Sequence, residues 1–558
     1  MNASRTFSSL QREAQLQRLQ SAKYDLIIIG GGVTGAGIAL DAASRGLKTC
    51  LVEKNDFASG TSNKSTKLIH GGLRYLKQFE IGLVKESGRE RATVHKLAPH
   101  LVIPEKMLLP LTKDGVYGAF LTSIGLKVYD ILANVEGDDR RKMLDKSETL
   151  LKEPLLEEST LLGGGYYSEY RTDDARLTIE LLKTAHTYGA EIINYCEMTD
   201  FIYSEKNKVK GITCVDHNTG AKFIINSRRI VSAAGPWVDK LRKKDGPLNN
   251  KHLYLTKGVH LVFPNKKLPV KQSVYFDAPD GRMLFAIPRG KVTYVGTTDT
   301  PYNGSLNRVV STKQDVAYIL QAINATFKTC NVTIDDVQSS WAGLRPLIHE
   351  DAASPSELSR KDEIFVSDSG LISIAGGKLT GYRKMAQRVN AKVLNTMKKK
   401  HKLNVTGSIT RNIPLTPLAF KSLEDVDAFK KVLRKKLLIE GYDSAYTIEY
   451  LTSTYGSQAN KIIEKLSDFK GVQLEEKLLL AELWYSINFE MMNSLPDFFV
   501  RRTGRLFFDI SSIYDYKITV LNYCIDQLQW DSKRAKQEMK VLELLITDAT
   551  TFYEKEIL

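Results

Sequence analysis

The segment from Tyr24 to Glu53, YDLIIIGGGVTGAGIALDAASRGLKTCLVE, constrains the fold more than any other part of the chain. It lays out a strand, a glycine turn, a helix, a second strand and a terminal acid in the order a dinucleotide site requires. Leu26 to Ile29 are a continuous run of branched apolar residues, which suits a strand buried on both faces of a parallel sheet. Gly30, Gly32 and Gly35 fit GxGxxG. The first permits a tight turn, the second lets backbone approach a pyrophosphate, and the third lets the following helix pack closely on the strand. That helix aims its unpaired N–H groups and positive dipole end at the pyrophosphate. Thr49 to Val52 return as a strand, and Glu53 ends it where a carboxylate can accept hydrogen bonds from a ribose. With both strands, the helix and the acid in place, the segment predicts dinucleotide binding.

The chain of 558 residues is too long for one ordinary domain, so two or three regions are expected. Its five cysteines, Cys50, Cys196, Cys214, Cys330 and Cys524, are scattered without CxxC spacing. Neither a disulfide framework nor a metal site is expected, and a cytoplasmic location is. No stretch has the apolar length needed to span a bilayer. The leader, residues 1–22, is polar and lacks the apolar core of a secretory signal, so it is read as an exposed tail or a short surface helix.

The formal charge of +15 exceeds what an anionic substrate alone would use. Solubility is the simplest cause, and steering of an anionic substrate and attraction to an anionic membrane surface are the others. In DAFKKVLRKKLL, Asp427 to Leu438, apolar residues recur at helical spacing among five cations. An amphipathic helix packed on its own domain is favoured there over a membrane contact. Nucleic acid is a poor partner, because the basic residues are dispersed and no binding motif appears.

Further along, Asp173 to Tyr188 reads as a helix and Glu191 to Tyr195 as a strand, with antiparallel segments at Phe201 to Val215 and Lys222 to Ile225. Thr122 to Leu132 reads as helical. RIVSAAGPWVD, Arg229 to Asp239, is a buried strand entering a small-residue turn at Ala234 and Gly235. GRMLFAIPRGKVTYVGTTDT fits a hairpin turning near Arg289 to Lys291. GLISIAGGKLTGYRK gives a strand, a Gly376-Gly377 turn and a helix beginning near Thr380. Met397 to Arg411 is the clearest linker, and helical periodicities follow it to the end.

GTSNKSTKLIHGGLRYLK at Gly60 to Lys77, EYRTDDARL, AAGPW, TKGVH at Thr256 to His260, GTTDT, AGLRPL at Ala342 to Leu347 and GGKLTGYR at Gly376 to Arg383 join the opening unit in order. Together they closely resemble the FAD-dependent glycerol-3-phosphate dehydrogenases, and DFFVRRTG at Asp497 to Gly504 resembles the helical domain of that family. The resemblance implies an α/β fold: a Rossmann-like FAD-binding domain and an antiparallel-sheet substrate domain, as in D-amino-acid-oxidase-like cores, plus a C-terminal all-α domain. The expected FAD part is about 23–80, 160–250 and 340–400, the substrate part about 81–159 and 251–339, and the helical domain 412–558.

The implied reaction is oxidation of sn-glycerol 3-phosphate to dihydroxyacetone phosphate by hydride transfer to the flavin. The matched positions expected to contact FAD are Gly30, Gly32, Gly35, Glu53, Lys54, Thr61, Ser62, Ala234, Gly235, Gly376, Gly377, Lys378, Leu379 and Thr380. A phosphate dianion needs fixed cations, and Arg74 and Arg345 offer the planar fork of donors. Lys257 and Lys378 are candidates for phosphate or the developing alkoxide. His70 is the expected proton acceptor, Tyr75 a substrate-orienting hydroxyl and His260 the reserve base. Each has a plainer reading: a satisfied histidine, an arginine paired with a carboxylate, or residues at a helix start meeting solvent. Asp173 and Asp174 are left out, since a helix N-terminus attracts acids for its own reasons.

The expected electron acceptor is a quinone, reached from the bilayer surface by a peripherally bound enzyme. An oxidase using dioxygen, an amine or amino-acid oxidase on the same core, and a non-catalytic flavin-bearing membrane or partner-binding protein are the alternatives. A homodimer is left open.

Overall fold

The apolar run at the start of the chain forms the strand Lys23–Ile29, in which Leu26, Ile27 and Ile28 are fully buried. In the computed structural model, which describes residues 6–70, 81–113, 115, 140–248, 250–327, 329–350, 361–398, 405–415 and 420–558, this strand lies at the heart of an eight-stranded sheet. The order runs Glu363–Val366, Ile372–Ala375, Lys222–Ser232, Lys23–Ile29, Thr49–Val52, Glu191–Ile193. Its central pairings are parallel, as burial on both faces requires. The hairpin Cys196–Tyr203 and Val209–Asp216 joins the outer half of Lys222–Ser232. The helix Val33–Ser44 packs on Asp174–Thr187 and Tyr382–Lys398. Gly37 makes one crossing close, because a Cβ there would lie 2.9 Å from the Tyr382 ring.

A second, ten-stranded and mostly antiparallel sheet carries the rest of the core. Its longest ladder pairs Lys251–Pro264 with Ser339–Glu350, from Lys251 opposite Glu350 to Val262 opposite Ser339. The hairpin Met283–Arg289 and Val292–Gly296 turns through Gly290 at φ +60°. Along Lys251–Pro264 the side chains alternate: Val259, Leu261 and Phe263 join one apolar cluster, while Val262 joins another on the opposite face.

Several sequence expectations are corrected. Leu161–Arg171 and Ser339–Glu350 lie in the second sheet, although the expected FAD part includes 160–250 and 340–400. Conversely, Val94 and Leu97 of the helix Ile81–Leu97 share the core of Leu26. An alternating strand reads the same in either sheet, so patterning alone does not say which layer owns it. The leader is the docked helix Arg12–Ser21. Arg12 reaches Asp216 and Asn194, Gln15 reaches the Ile192 carbonyl, and Leu19 is fully buried. The supposed linker is anchored at 405–415, with Ile413 and Leu415 in the core and Ser408 bonded to Asp41. Thr122 to Leu132 lies outside the described residues.

The C-terminal region is helical: Leu423–Ile439, Ala445–Tyr455, Ala459–Leu466, Leu474–Phe489, Ile510–Leu528 and Ser532–Thr550. It is fastened to the core by buried charges. Arg501 and Arg502 both converge on Asp56, and Arg176 meets Glu490 at 2.7 Å. Burial alone would raise the pKa of Glu490, but Arg176 and Lys183 hold it down to about 2. Among the described residues no helix is long and apolar enough to cross a membrane.

Candidate functional site

A cavity of about 700 Å³ runs between the two sheets. At one end the glycine turn is dictated by backbone contacts. Gly30 has φ +115°, and a Cβ there would lie 2.5 Å from the Ala233 carbonyl oxygen. A Cβ at Gly35 would lie 1.9 Å from the oxygen of Gly30, so helix and strand approach only with glycine in that place. Gly32 differs, since its Cβ would meet only Ser62 Oγ, at 3.2 Å. It leaves the first turn of the helix open to the cavity, and Val33 N–H donates to that same Ser62 Oγ at 3.0 Å. Glu53 accepts from Gly31 N–H at 2.7 Å and Asn55 N–H at 2.9 Å. Burial raises its pKa, and those two donors oppose the rise.

Two further turns close on the same cavity. Gly235 stands at φ +53°, and Gly376 and Gly377 at +69° and +81°. Lys378 immediately precedes the short turn Leu379–Gly381, and the helix proper starts at Tyr382. Thr380 Oγ1 donates to the His70 carbonyl at 3.3 Å, and Thr61 Oγ1 to the Leu344 carbonyl at 2.8 Å. These bonds tie the nucleotide layer to the second sheet. The volume, the three left-handed turns and the carboxylate at the end of the second strand fit a dinucleotide as large as FAD.

At the other end the site is made of side chains. His70 follows the two-residue strand Leu68–Ile69, and its ring lies edge-on to Phe285 at 6.3 Å. Arg345 is held in place by Thr298 O at 3.0 Å, Asp299 Oδ1 at 3.1 Å and Thr297 Oγ1 at 2.9 Å. Lys378 lines the same cavity. His260 is buried, stacked on Trp341 at 4.7 Å, with Nε2 3.0 Å from Thr66 Oγ1. Burial first, then the cations Arg345 and Lys67, push its pKa well below the usual histidine value, so the ring is neutral.

Lys257 must be struck from the site. It projects from the opposite face of its strand, where its ammonium pairs with Asp315 and Glu556. Positions 257 and 260 differ by an odd number, so in a regular strand they face opposite sides. Arg74 and Tyr75 lie outside the described residues. Asp173 caps the helix Asp174–Thr187 and meets Arg289 at 2.9 Å, while Asp174 pairs with Lys67 at 2.6 Å.

Sequence reading passed over Gly258, Lys64 and Trp237. Gly258 makes room for Arg345, because a Cβ there would lie 2.5 Å from the guanidinium; it stood unused inside the quoted TKGVH. Lys64 lines the cavity with a pKa lowered to about 8, by burial and then by Arg501. Trp237 lies under the ammonium of Lys54, which was expected at the site, with Nζ 4.3 Å from the ring centre, a contact between residues far apart in sequence.

Residues 25–383 match the model of the FAD dependent oxidoreductase family, and residues 408–535 match the model of the C-terminal domain of alpha-glycerophosphate oxidase. The chain is 49% identical over 552 residues to the aerobic glycerol-3-phosphate dehydrogenase of Bacillus subtilis, covering 98% of this chain and 99% of the relative. It is 47% identical to that of Staphylococcus haemolyticus, covering 97% and 98%. The crystal structure of the glycerol-3-phosphate dehydrogenase from Bacillus halodurans complexed with FAD is similar with a TM-score of 0.83 and 42% identity, over 98% of both chains. The L-alpha-glycerophosphate oxidase of Mycoplasma pneumoniae shares the fold at a TM-score of 0.55 and 20% identity, covering 70% of this chain and 98% of that one.

Proposed function

The chain belongs to the FAD-dependent oxidoreductases and, within them, to the aerobic glycerol-3-phosphate dehydrogenase family, and on that premise we propose that it oxidises sn-glycerol 3-phosphate to dihydroxyacetone phosphate. FAD, when bound, supplies the acceptor for the hydride that leaves carbon 2. The observation that carries the reading is Arg345, a guanidinium fixed by three hydrogen bonds beside the dinucleotide cavity, with Lys378 lining the same space. A fork of N–H donors and a second cation suit a phosphate dianion. In this reading Arg345 and Lys378 bind and orient the substrate, and His70 accepts the proton of the carbon-2 hydroxyl. Arg74 adds a phosphate contact and Tyr75 a hydrogen bond, roles that rest on the family resemblance alone. His260, held neutral between Trp341 and Thr66, is the reserve base.

Mixing the purified yellow protein, without oxygen, with sn-glycerol 3-phosphate tests the assignment. Rapid bleaching of the flavin band by this substrate and not by glycerol is expected; an unchanged spectrum in protein known to hold FAD would sink it. His70→Asn should slow the bleaching by about a hundredfold or more if His70 is the base. A loss below about threefold removes it from that role.

We further propose a quinone as acceptor and a peripheral location on the cytoplasmic side of an anionic membrane. Leu423–Ile439 buries Leu433 and Leu437 against its own domain, yet leaves Val432, Leu438 and Ile439 exposed beside Lys431 and Lys435. That mixed basic and apolar face suits an anionic lipid surface. Cosedimentation with anionic vesicles but not neutral ones would support it. Reoxidation by dioxygen faster than by a soluble quinone would favour an oxidase. A homodimer remains a proposal for light scattering to decide.

A further inference from the structure

We propose that Asn307 is a cofactor-retention residue and that the segment Asp548–Ile557 is a strap that holds its loop against the FAD site. The inference rests on FAD binding and is independent of the substrate. Lys54 follows the acid Glu53, and Trp237 stands two residues after Gly235, so these two cavity-lining side chains come from two different turns of the site. Asn307 joins them from outside. Its Oδ1 accepts from Lys54 Nζ and from Trp237 Nε1, each at 3.3 Å, and Lys54 lies over the Trp237 ring. One carboxamide thus cross-links two walls of the cavity.

Residues 302–311 have no strand or helix to hold them, and the link to Asn307 depends on what fixes them. The C-terminal segment does so from several sides. Ser305 N–H donates to the Ile557 carbonyl at 2.8 Å, and Gly304 lies so close that a Cβ there would sit 2.7 Å from that oxygen. Arg308 next to Asn307 forks onto Asp548 at 2.9 and 2.7 Å and reaches the Tyr553 hydroxyl at 3.0 Å. Tyr553 N–H donates to the Ser311 carbonyl at 3.1 Å, and Lys313 N–H to the Tyr553 carbonyl at 2.8 Å. Glu556 reaches under the loop to the buried ammonium of Lys257. Lys257 thus anchors the strap from the back of the substrate sheet.

A fork of this kind between Arg308 and Asp548 is directional, and its neighbour Asn307 is the residue whose position it sets. Loosening either should let the Lys54 and Trp237 walls part and the cofactor leave. The test follows the release of FAD from the holoprotein after dilution, by recovery of free-flavin fluorescence, together with the melting temperature of holo and apo forms. Asn307→Ala should speed release about tenfold, the effect of losing one or two modest hydrogen bonds. It should shrink the gap between holo and apo melting temperatures while leaving the apo value in place, which a merely structural role would not do. Arg308→Ala should act in the same direction, and Arg308→Lys should recover only part of the loss. Release within twofold of the parent in folded Asn307→Ala overturns the proposal. If Asn307→Ala speeds release and folded Arg308→Ala does not, the strap is overturned. Should Arg308→Ala fail to fold, Glu556→Gln tests the strap in its stead, with faster release expected and unchanged release overturning it.

Discussion

The two ends of the cavity are built by opposite means. At the dinucleotide end, backbone meets backbone: Gly30 against Ala233, Gly35 against Gly30, and an open helix turn at Gly32. At the substrate end, side chains placed by long antiparallel strands do the work, and each depends on contacts far away in sequence. Arg345 is oriented by residues 297–299, and His260 by Trp341 and Thr66. The first end tolerates almost no substitution at Gly30 or Gly35. The second should yield graded, separable losses.

The largest effect should come from Gly35→Ala, whose methyl would lie 1.9 Å from a carbonyl oxygen. Bound FAD should fall below about a tenth per chain, read from the flavin and protein absorption bands. Near-normal occupancy would break the contrast at its root. Arg345→Ala should keep its flavin and lose about a thousandfold in kcat/KM for the phosphorylated substrate. Gly258→Ala, which pushes on the same guanidinium, should cost about tenfold, chiefly in KM. Equal losses in the two would mean that the arginine acts by presence and not by position.

Lys257→Met sharpens the contrast between the two faces of one strand. Turnover per bound FAD should stay within about twofold, whereas stability should fall by about 3 kcal/mol, because Asp315 and Glu556 lose their buried cation. A large loss of turnover with unchanged stability would return Lys257 to the site.

The smallest effect concerns the seam with the helical domain. Glu490 has a folded pKa below its ordinary 4.5, so its stabilisation is complete above that value and is lost as pH falls through about 2. The difference in unfolding free energy between the parent and Glu490→Gln should therefore shrink by about half from pH 6 to pH 3. A constant difference would mean that the pairing with Arg176 does not depend on its charge.

What could be read beforehand follows the same division. Glycines between an apolar strand and a helix stand out in the sequence itself, so the turns at 30–35, 235 and 376–377 are legible together with the sheet that presents them. Lys257 was misread although the parity argument needs only the sequence, because the strand through TKGVH had to be recognised before its faces could be assigned. Its partners lie 58 and 299 residues away, where no local pattern points. The same distance hid Asn307 from Lys54 and Trp237. Of the two readings of the leader, exposed tail or short surface helix, the helix holds, and its polar side chains dock it through hydrogen bonds to Ile192, Asn194 and Asp216.

The seam at Asp56 has a consequence for how the protein is made. The carboxylate that receives Arg501 and Arg502 lies three residues after Glu53, and strand Lys23–Ile29 cannot be flanked on both sides until Lys222–Ser232 exists. On the ribosome the strand lacks its second neighbour until residue 232 has been made, and Asp56 lacks both arginines until residue 502 has been made. The seam with the helical domain can therefore close only late in synthesis, whereas the apolar strand is an aggregation hazard only until its second neighbour emerges.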